Sequence, residues 1–184
     1  EHAGERWVVS PIGTAETDQS ARVALVDLSG IDLGTVVADR EAIGEVNPHR
    51  HELALLDEIV WIADDSSAAV ARHRCAHDAF WVRGHFPEIP LMPGVLQVEA
   101  GAQLACYIWN IQQEVRRVAA FLRIENTSFR RTVVPGDELL LLCREVKKGR
   151  RRFVSDIQGV VGGQIAFSGR ISGMVLEGAG NGPA

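Results

Sequence analysis

The chain is short of aromatic residues, of paired cysteines, of positive charge and of long apolar runs, and each shortage closes off a class of protein. Only 6% of its 184 residues are Phe, Trp or Tyr, so aliphatic and small side chains must do most of the packing. The three cysteines stand far apart at positions 75, 106 and 143. That spacing excludes a CxxC redox pair and a clustered zinc site, and it fits reduced, buried thiols of a cytoplasmic protein. A formal charge of −5 argues against general nucleic-acid binding, which needs a basic surface. No apolar stretch reaches membrane-spanning length, and no leader with a charged start and an apolar middle is visible.

What is present is 46% apolar residue content, enough for the core of one domain, or of one domain with a short appendage. Residues 1–44 hold two short strand-like pieces, at 7–9 and 21–26, around the turn-rich Pro11-Ile12-Gly13-Thr14. They carry no motif and read as an N-terminal extension of unknown role. The texture changes at Asn47-Pro48-His49-Arg50, a turn signal. Strands are expected at 53–62 and 68–75, then a stiff loop in which Pro87, Pro90 and Pro93 each fix their own φ. Residues 94–113 lack proline and are apolar nearly all round, the pattern of a buried helix. Further strands are expected at 119–124, 138–146, 153–161 and 164–175, with hairpin turns at Lys148-Gly149-Arg150 and Gly162-Gly163. In the last strand Ile165, Phe167, Ile171 and Val175 are expected on one face. The fold class is α+β: an antiparallel sheet wrapped around one long helix, its other face left to solvent or to a second subunit. Residues 177–184 read as a flexible glycine-rich tail.

The chemistry concentrates in residues 84–103. His85 precedes the proline-punctuated loop, and Glu99 sits early in the apolar helix. A base on a rigid loop and an acid in apolar surroundings suit proton shuttling, because desolvation favours the neutral acid. The plainer reading of Glu99 is a cap or a salt bridge across a subunit contact. Gly94 follows Pro93 at the helix start, where free N–H groups and the helix dipole favour negative charge. It either stabilises an oxyanion or merely permits tight packing. Gln103 lies one helical turn beyond Glu99 and either orients that carboxyl or serves a neighbouring backbone group. The basic run Lys147-Lys148-Gly149-Arg150-Arg151-Arg152, and the smaller pair Arg130-Arg131, are solvated tips or docks for an acidic partner.

The block from Gly84 to Gln103 matches every fixed position of GHFPxxPxMPGVLxxEAxAQ. It resembles the signature of the 3-hydroxyacyl-acyl carrier protein dehydratases of type II fatty acid synthesis. Pro48-His49-Arg50 through Leu55-Leu56-Asp57 resembles that family's PHRxPxLLVD segment, and Phe129-Arg130-Arg131-Thr132-Val133-Val134-Pro135-Gly136-Asp137 resembles its FRRPVVPGD segment. Likeness covers roughly residues 45–176, the expected catalytic domain. It implies a hotdog fold and a homodimer, or a trimer of dimers, with His85 of one subunit facing Glu99 of the other. It also implies acyl carrier protein as the acidic partner, for which Arg130, Arg131, Lys147 and Lys148 are the candidate dock by charge, with Gly94 at the helix start expected as the oxyanion donor. No metal or redox cofactor is implied, since the acyl chain rides on phosphopantetheine. The family's dehydratase/isomerase branch resembles this one but carries Asp at the place of Glu99. Thr132, His51 and Glu52 depart from the pattern, and Ala119-Ala120 stand where relatives often carry an aromatic gate. The departures leave chain length and pathway open, from fatty acid to other lipid or polyketide synthesis, and suggest tolerance for longer or bulkier acyl groups. Alternatives are a hotdog thioesterase, an enoyl-coenzyme A hydratase-type enzyme, or a non-catalytic acyl-binding subunit.

Overall fold

A computed structural model describes residues 23–176. The strand-like piece at 7–9 and the tail at 177–184 lie outside the described residues. Seven strands form one antiparallel sheet: β1 (Ala38–Asp39), β2 (Glu58–Ile62), β3 (Ala68–Arg74), β4 (Ala119–Phe129), β5 (Glu138–Lys148), β6 (Arg152–Val161) and β7 (Gln164–Val175), in the order β1-β2-β3-β5-β6-β7-β4. Helix α1 (Arg40–Val46) precedes β2, and helix α2 (Gly94–Ile111) lies across the sheet against β3, β5, β6 and β7.

Helix α2 forms where the sequence predicts it. Pro93 is its N-cap and carries no side-chain bond, and residues from Val98 to Asn110 are almost continuously buried. A Cβ on Gly101 would lie 2.9 Å from Ile157 Cδ1, so the missing side chain lets the helix settle onto β6. The Gly162-Gly163 turn closes the β6–β7 hairpin with both residues at positive φ, the conformation that a two-residue turn of this hand requires.

Four expectations change. The strand foreseen over 53–62 begins only at Glu58. The backbone before it is taken up by side chains: Leu53 O and Leu55 N bond to Gln103, while Leu55 and Leu56 turn into the core. In β7 the register shifts opposite Gly159 and Val160, so Ala166 joins Phe167 in the helix-facing core and Ile165 is driven to the outer face. Over β2, β3, β5 and β6 that outer face is not bare. Val60, Val70, Leu140, Leu142 and Val160 are covered by Leu25, Val26, Leu28, Ile31 and Leu33 of the same chain. The strap is pinned by Leu25 N to Gln158 Oε1 at 2.9 Å and by Arg72 Nη2 to Leu33 O at 2.6 Å. The described part of the piece at 21–26 is thus a strap and not a strand.

Helix α1 gave no signal in the sequence reading. Its N-cap Asp39 accepts from Ala42 N, and Ile43 and Val46 enter the main core, so the 44/45 division runs through this helix. No helix among the described residues is long and apolar enough to cross a membrane.

Candidate active site

The loop between β3 and α2 holds His85 by two reciprocal bonds. Leu91 N donates to His85 O at 2.8 Å, and His85 Nδ1 lies 2.9 Å from Leu91 O. A carbonyl only accepts, so Nδ1 carries the hydrogen and Nε2 carries the lone pair. The ring stacks on Phe86 with centroids 4.1 Å apart. Met92 N bonds to Val133 O at 2.7 Å and anchors the far end of the loop.

Glu99 lies on α2 with its side chain 24% exposed, so it is less enclosed than its apolar neighbours in sequence suggest. Its Oε1 accepts from Gln103 Nε2 at 2.9 Å, and His49 Nε2 stands 3.4 Å from the same oxygen. Gln103 does both jobs that the sequence left open. Besides holding Glu99, its Nε2 donates to Leu53 O at 2.7 Å and its Oε1 accepts from Leu55 N at 3.0 Å. Asn47 Nδ2 donates to Gln103 O, which ties the turn before His49 to the same helix. Burial holds the His49 imidazole below its ordinary value and Arg50 adds to this, against the opposing pull of Glu99. His49 belongs to the recognised Pro48-His49-Arg50 block, but nothing in the sequence distinguished it as a site residue.

His49, Glu99 and Gln103 line a cleft enclosing about 340 Å³ of non-atom space, part of it open to solvent. Ala102, Cys106, Ala119, Ala120, Phe121, Phe153, Ile171 and Gly173 complete it. The two alanines therefore do border the space, and Phe121, 44% exposed, flanks them. Trp109 does not fill it: the indole is buried, stacks on Phe153 and donates to Gly149 O at 3.1 Å. Cys106 is buried in this wall with its thiol pushed up to about 12, so it stays neutral, and burial does the same to Cys75 and Cys143.

Gly94 opens α2 against Phe129, and a Cβ there would lie 2.7 Å from the Phe129 ring. Tight packing alone therefore demands glycine, while the helix geometry still leaves the first N–H groups without intrahelical partners. His85 is absent from the lining of the cleft that holds Glu99.

The basic residues fall into two places. Lys147 and Lys148 lie opposite the start of β6, beside the Phe153 wall of the cleft. Arg131 is at the other end of β6, where it donates to Val161 O at 2.7 Å and stands 3.7 Å from Asp137. The stretch of β6 from Phe153 and Val154 to Val161 separates them by roughly 25 Å at about 3.3 Å per residue. Arg130 bonds to Ser168 Oγ at 2.7 Å.

Residues 47–170 match the family model described as FabA-like domain. The chain belongs to the FabA-like family of 3-hydroxyacyl-acyl carrier protein dehydratases. It is 42% identical over 129 residues to a 3-hydroxyacyl-[acyl-carrier-protein] dehydratase FabZ of Brucella abortus, covering 67% of this chain and 82% of that one. The enzyme of the same name from Halalkalibacterium halodurans is 36% identical over 124 residues, 65% of this chain and 88% of that one. Among solved structures, the dehydratase heterocomplex ApeI:P of Xenorhabdus doucetiae superposes with a TM-score of 0.61 at 14% identity, over 74% of this chain and 91% of that one. A mutant thioesterase of Pseudomonas aeruginosa superposes with a TM-score of 0.57 at 17% identity, over 76% and 95%. The FabA-like chain thus has the hotdog fold.

Proposed function

We propose that this FabA-like protein removes water from 3-hydroxyacyl thioesters carried on acyl carrier protein, yielding trans-2-enoyl thioesters in fatty acid or related lipid synthesis. The carrying observation is the His85 tautomer. With Nδ1–H committed to Leu91, the Nε2 lone pair is available as a base. It takes a proton from the carbon next to the thioester carbonyl. The N–H groups at the start of α2, Gly94 first, meet the charge that develops on that carbonyl oxygen. The carbon–oxygen bond then breaks, and Glu99 gives its proton to the departing hydroxyl, which leaves as water. This needs an acid, a base and an oxyanion site, and no resident metal or redox group.

The acid and the base come from two copies of the chain. His85 is absent from the lining of the Glu99 cleft, and Phe86, which stacks on its ring, is exposed, as is Val95 in the first turn of α2. Strand β4 ends the sheet and exposes Phe121, Leu122 and Ile124, an edge that a second copy would cover. The strap keeps the opposite face of the sheet out of that role. Lys147 and Lys148, next to the cleft, are the better dock for the acidic carrier protein: Lys148 donates to the neutral Gln112 side chain, whereas Arg131 is tied to a backbone carbonyl and lies beside a carboxylate.

The test is turnover. Purified protein is given matched 3-hydroxyacyl thioesters on acyl carrier protein and on coenzyme A, and enoyl thioester formation is followed. Preferred dehydration of the carrier-protein form is expected. Thioester cleavage without enoyl product, or no turnover of either form, would overturn the proposal.

A further inference from the structure

This inference rests on Glu99 being the acid of the proposed dehydration. Two nitrogens converge on one oxygen of its carboxyl. Gln103 Nε2 donates to Oε1 at 2.9 Å, and His49 Nε2 stands 3.4 Å from that same Oε1. The second distance exceeds an ordinary N–H···O bond by about half an ångström, and such contacts often shorten when a substrate closes the site. His49 is not free to wander: Asn47 is bonded to Gln103 O, and Arg50 Nη1 bonds back to Asn47 O at 2.8 Å. Its Nδ1 is buried without a hydrogen-bond partner. A neutral imidazole has one N–H to place. On Nδ1 that hydrogen would be an orphaned buried donor; on Nε2 it faces a carboxyl oxygen.

We propose that His49 is a positioning residue for Glu99. As the Nε2–H tautomer it joins Gln103 in making Oε1 the accepting oxygen, so the acidic proton resides on Oε2 and is presented to the substrate's 3-hydroxyl. An oxygen that already accepts two N–H groups is a poor site for a further hydrogen, and this sorts the two carboxyl oxygens into one that is held and one that reacts. The neutral state of His49 is part of the device. An imidazolium at that place would favour the carboxylate and withdraw the acid. Of the groups facing His49, Arg50 and Glu99 are charged or titratable, Gln103 is neutral, and Cys106 keeps its proton. The sheet side contributes Ala119, Ala120, Phe121, Phe153, Ile171 and Gly173, none of them titratable.

The experiment compares His49→Leu, which removes the N–H at similar volume, with His49→Gln, which returns an N–H at nearly the same reach. Each is assayed for kcat, KM and the pH profile of kcat/KM on a 3-hydroxyacyl thioester, with melting temperature as the control for folding. His49→Leu is expected to lower kcat about tenfold, the scale of one hydrogen bond to a charged or reacting group, with KM little changed. Its alkaline limb should move to higher pH, because losing a donor disfavours the carboxylate. His49→Gln should recover most of the rate and return the limb to its wild-type position. If His49→Leu does not fold, His49→Asn replaces it, since its shorter amide falls short of Oε1. A wild-type rate and profile for the Leu variant would overturn the inference. So would Leu and Gln variants that are equally slow with an unmoved limb, which is the signature of a purely structural role. Glu99→Gln is run alongside: a slow Glu99→Gln with a wild-type His49→Leu defeats this inference alone, whereas near-normal turnover by Glu99→Gln defeats the acid assignment beneath it.

Discussion

His85 and Leu91 hold each other by a closed pair of bonds, Leu91 N to His85 O at 2.8 Å and His85 Nδ1–H to Leu91 O at 2.9 Å. This pair sets the tautomer of the proposed base before substrate arrives. His85→Ala and Glu99→Gln should each lower dehydration by at least about 10²-fold, the usual scale for loss of a general base or acid. Melting temperatures should stay close to wild type, because neither side chain belongs to the buried core. Near-normal turnover in the His85 variant would remove it from the role of base.

If acid and base come from different copies, two dead variants should revive each other. Mixing His85→Ala with Glu99→Gln protein, under conditions where subunits exchange, should restore up to about a quarter of wild-type activity, since random pairing makes half of the dimers mixed and each of those has one intact site of two. A sedimentation experiment that finds only monomer, or exchange without recovery, would place both groups in one chain.

The two basic clusters should behave differently. Reversing Lys147 and Lys148 to Glu should raise KM for the carrier-protein substrate and spare a short pantetheine thioester, since steering acts chiefly on association. Arg131→Glu should instead lower the melting temperature, because its guanidinium holds Val161 O and lies beside Asp137. Equal KM effects on both substrates would mark the lysines as an ordinary solvated hairpin.

Ala119 and Ala120 border the cleft, and an aromatic ring at 120 would take up part of its volume. Each methylene that loses its buried position forfeits roughly 0.8 kcal/mol. Ala120→Tyr should therefore depress kcat/KM for longer or bulkier acyl chains more than for short ones. A chain-length series unchanged by the substitution would show that these alanines do not shape the acyl path.

His73 supplies a test on stability. The ring is buried, and Nδ1 donates to Leu55 O at 2.6 Å. Burial lowers its pKa from 6.5, with Asp57 and the Leu55 bond opposing and Arg40 contributing. The unfolded chain thus binds the proton first as pH falls, and stability must drop below about pH 6.5. The contribution is complete above that value and is lost toward the folded pKa. His73→Asn retains a donor for Leu55 but does not titrate. Melting curves from pH 7.5 to 5 should fall less steeply for the variant, and parallel curves would exclude His73 as a source of the acid loss.

Much of this fold is local and therefore legible. Prolines at 87, 90 and 93 stop regular structure, the apolar run after Gly94 has to be buried as a helix, and Gly162-Gly163 has to turn. The same locality made His85, Gly94, Glu99 and Gln103 readable as candidates, since they share one stretch of chain whose order resembles a known family. Strand β4 ran past its expected end at 124 because pairing with β7 resumes beyond an irregularity at Asn126, and that pairing is a long-range matter. Helix α1 is too short to carry a periodic signal, and its place is decided by Ile43 and Val46 entering the core. The strap over β2, β3, β5 and β6 could not be seen either: five apolar residues spread over 25–33 have no period, and only the uncovered face of a folded sheet gives them somewhere to go. The face taken by Ile165 depended on a one-residue shift against β6, which alternation within a single strand does not encode. His49 is the functional counterpart of these cases. The sequence determined that an imidazole stands in the Pro48-His49-Arg50 turn; the packing of that turn on α2, through Asn47 and Gln103, decided that the ring would meet Glu99.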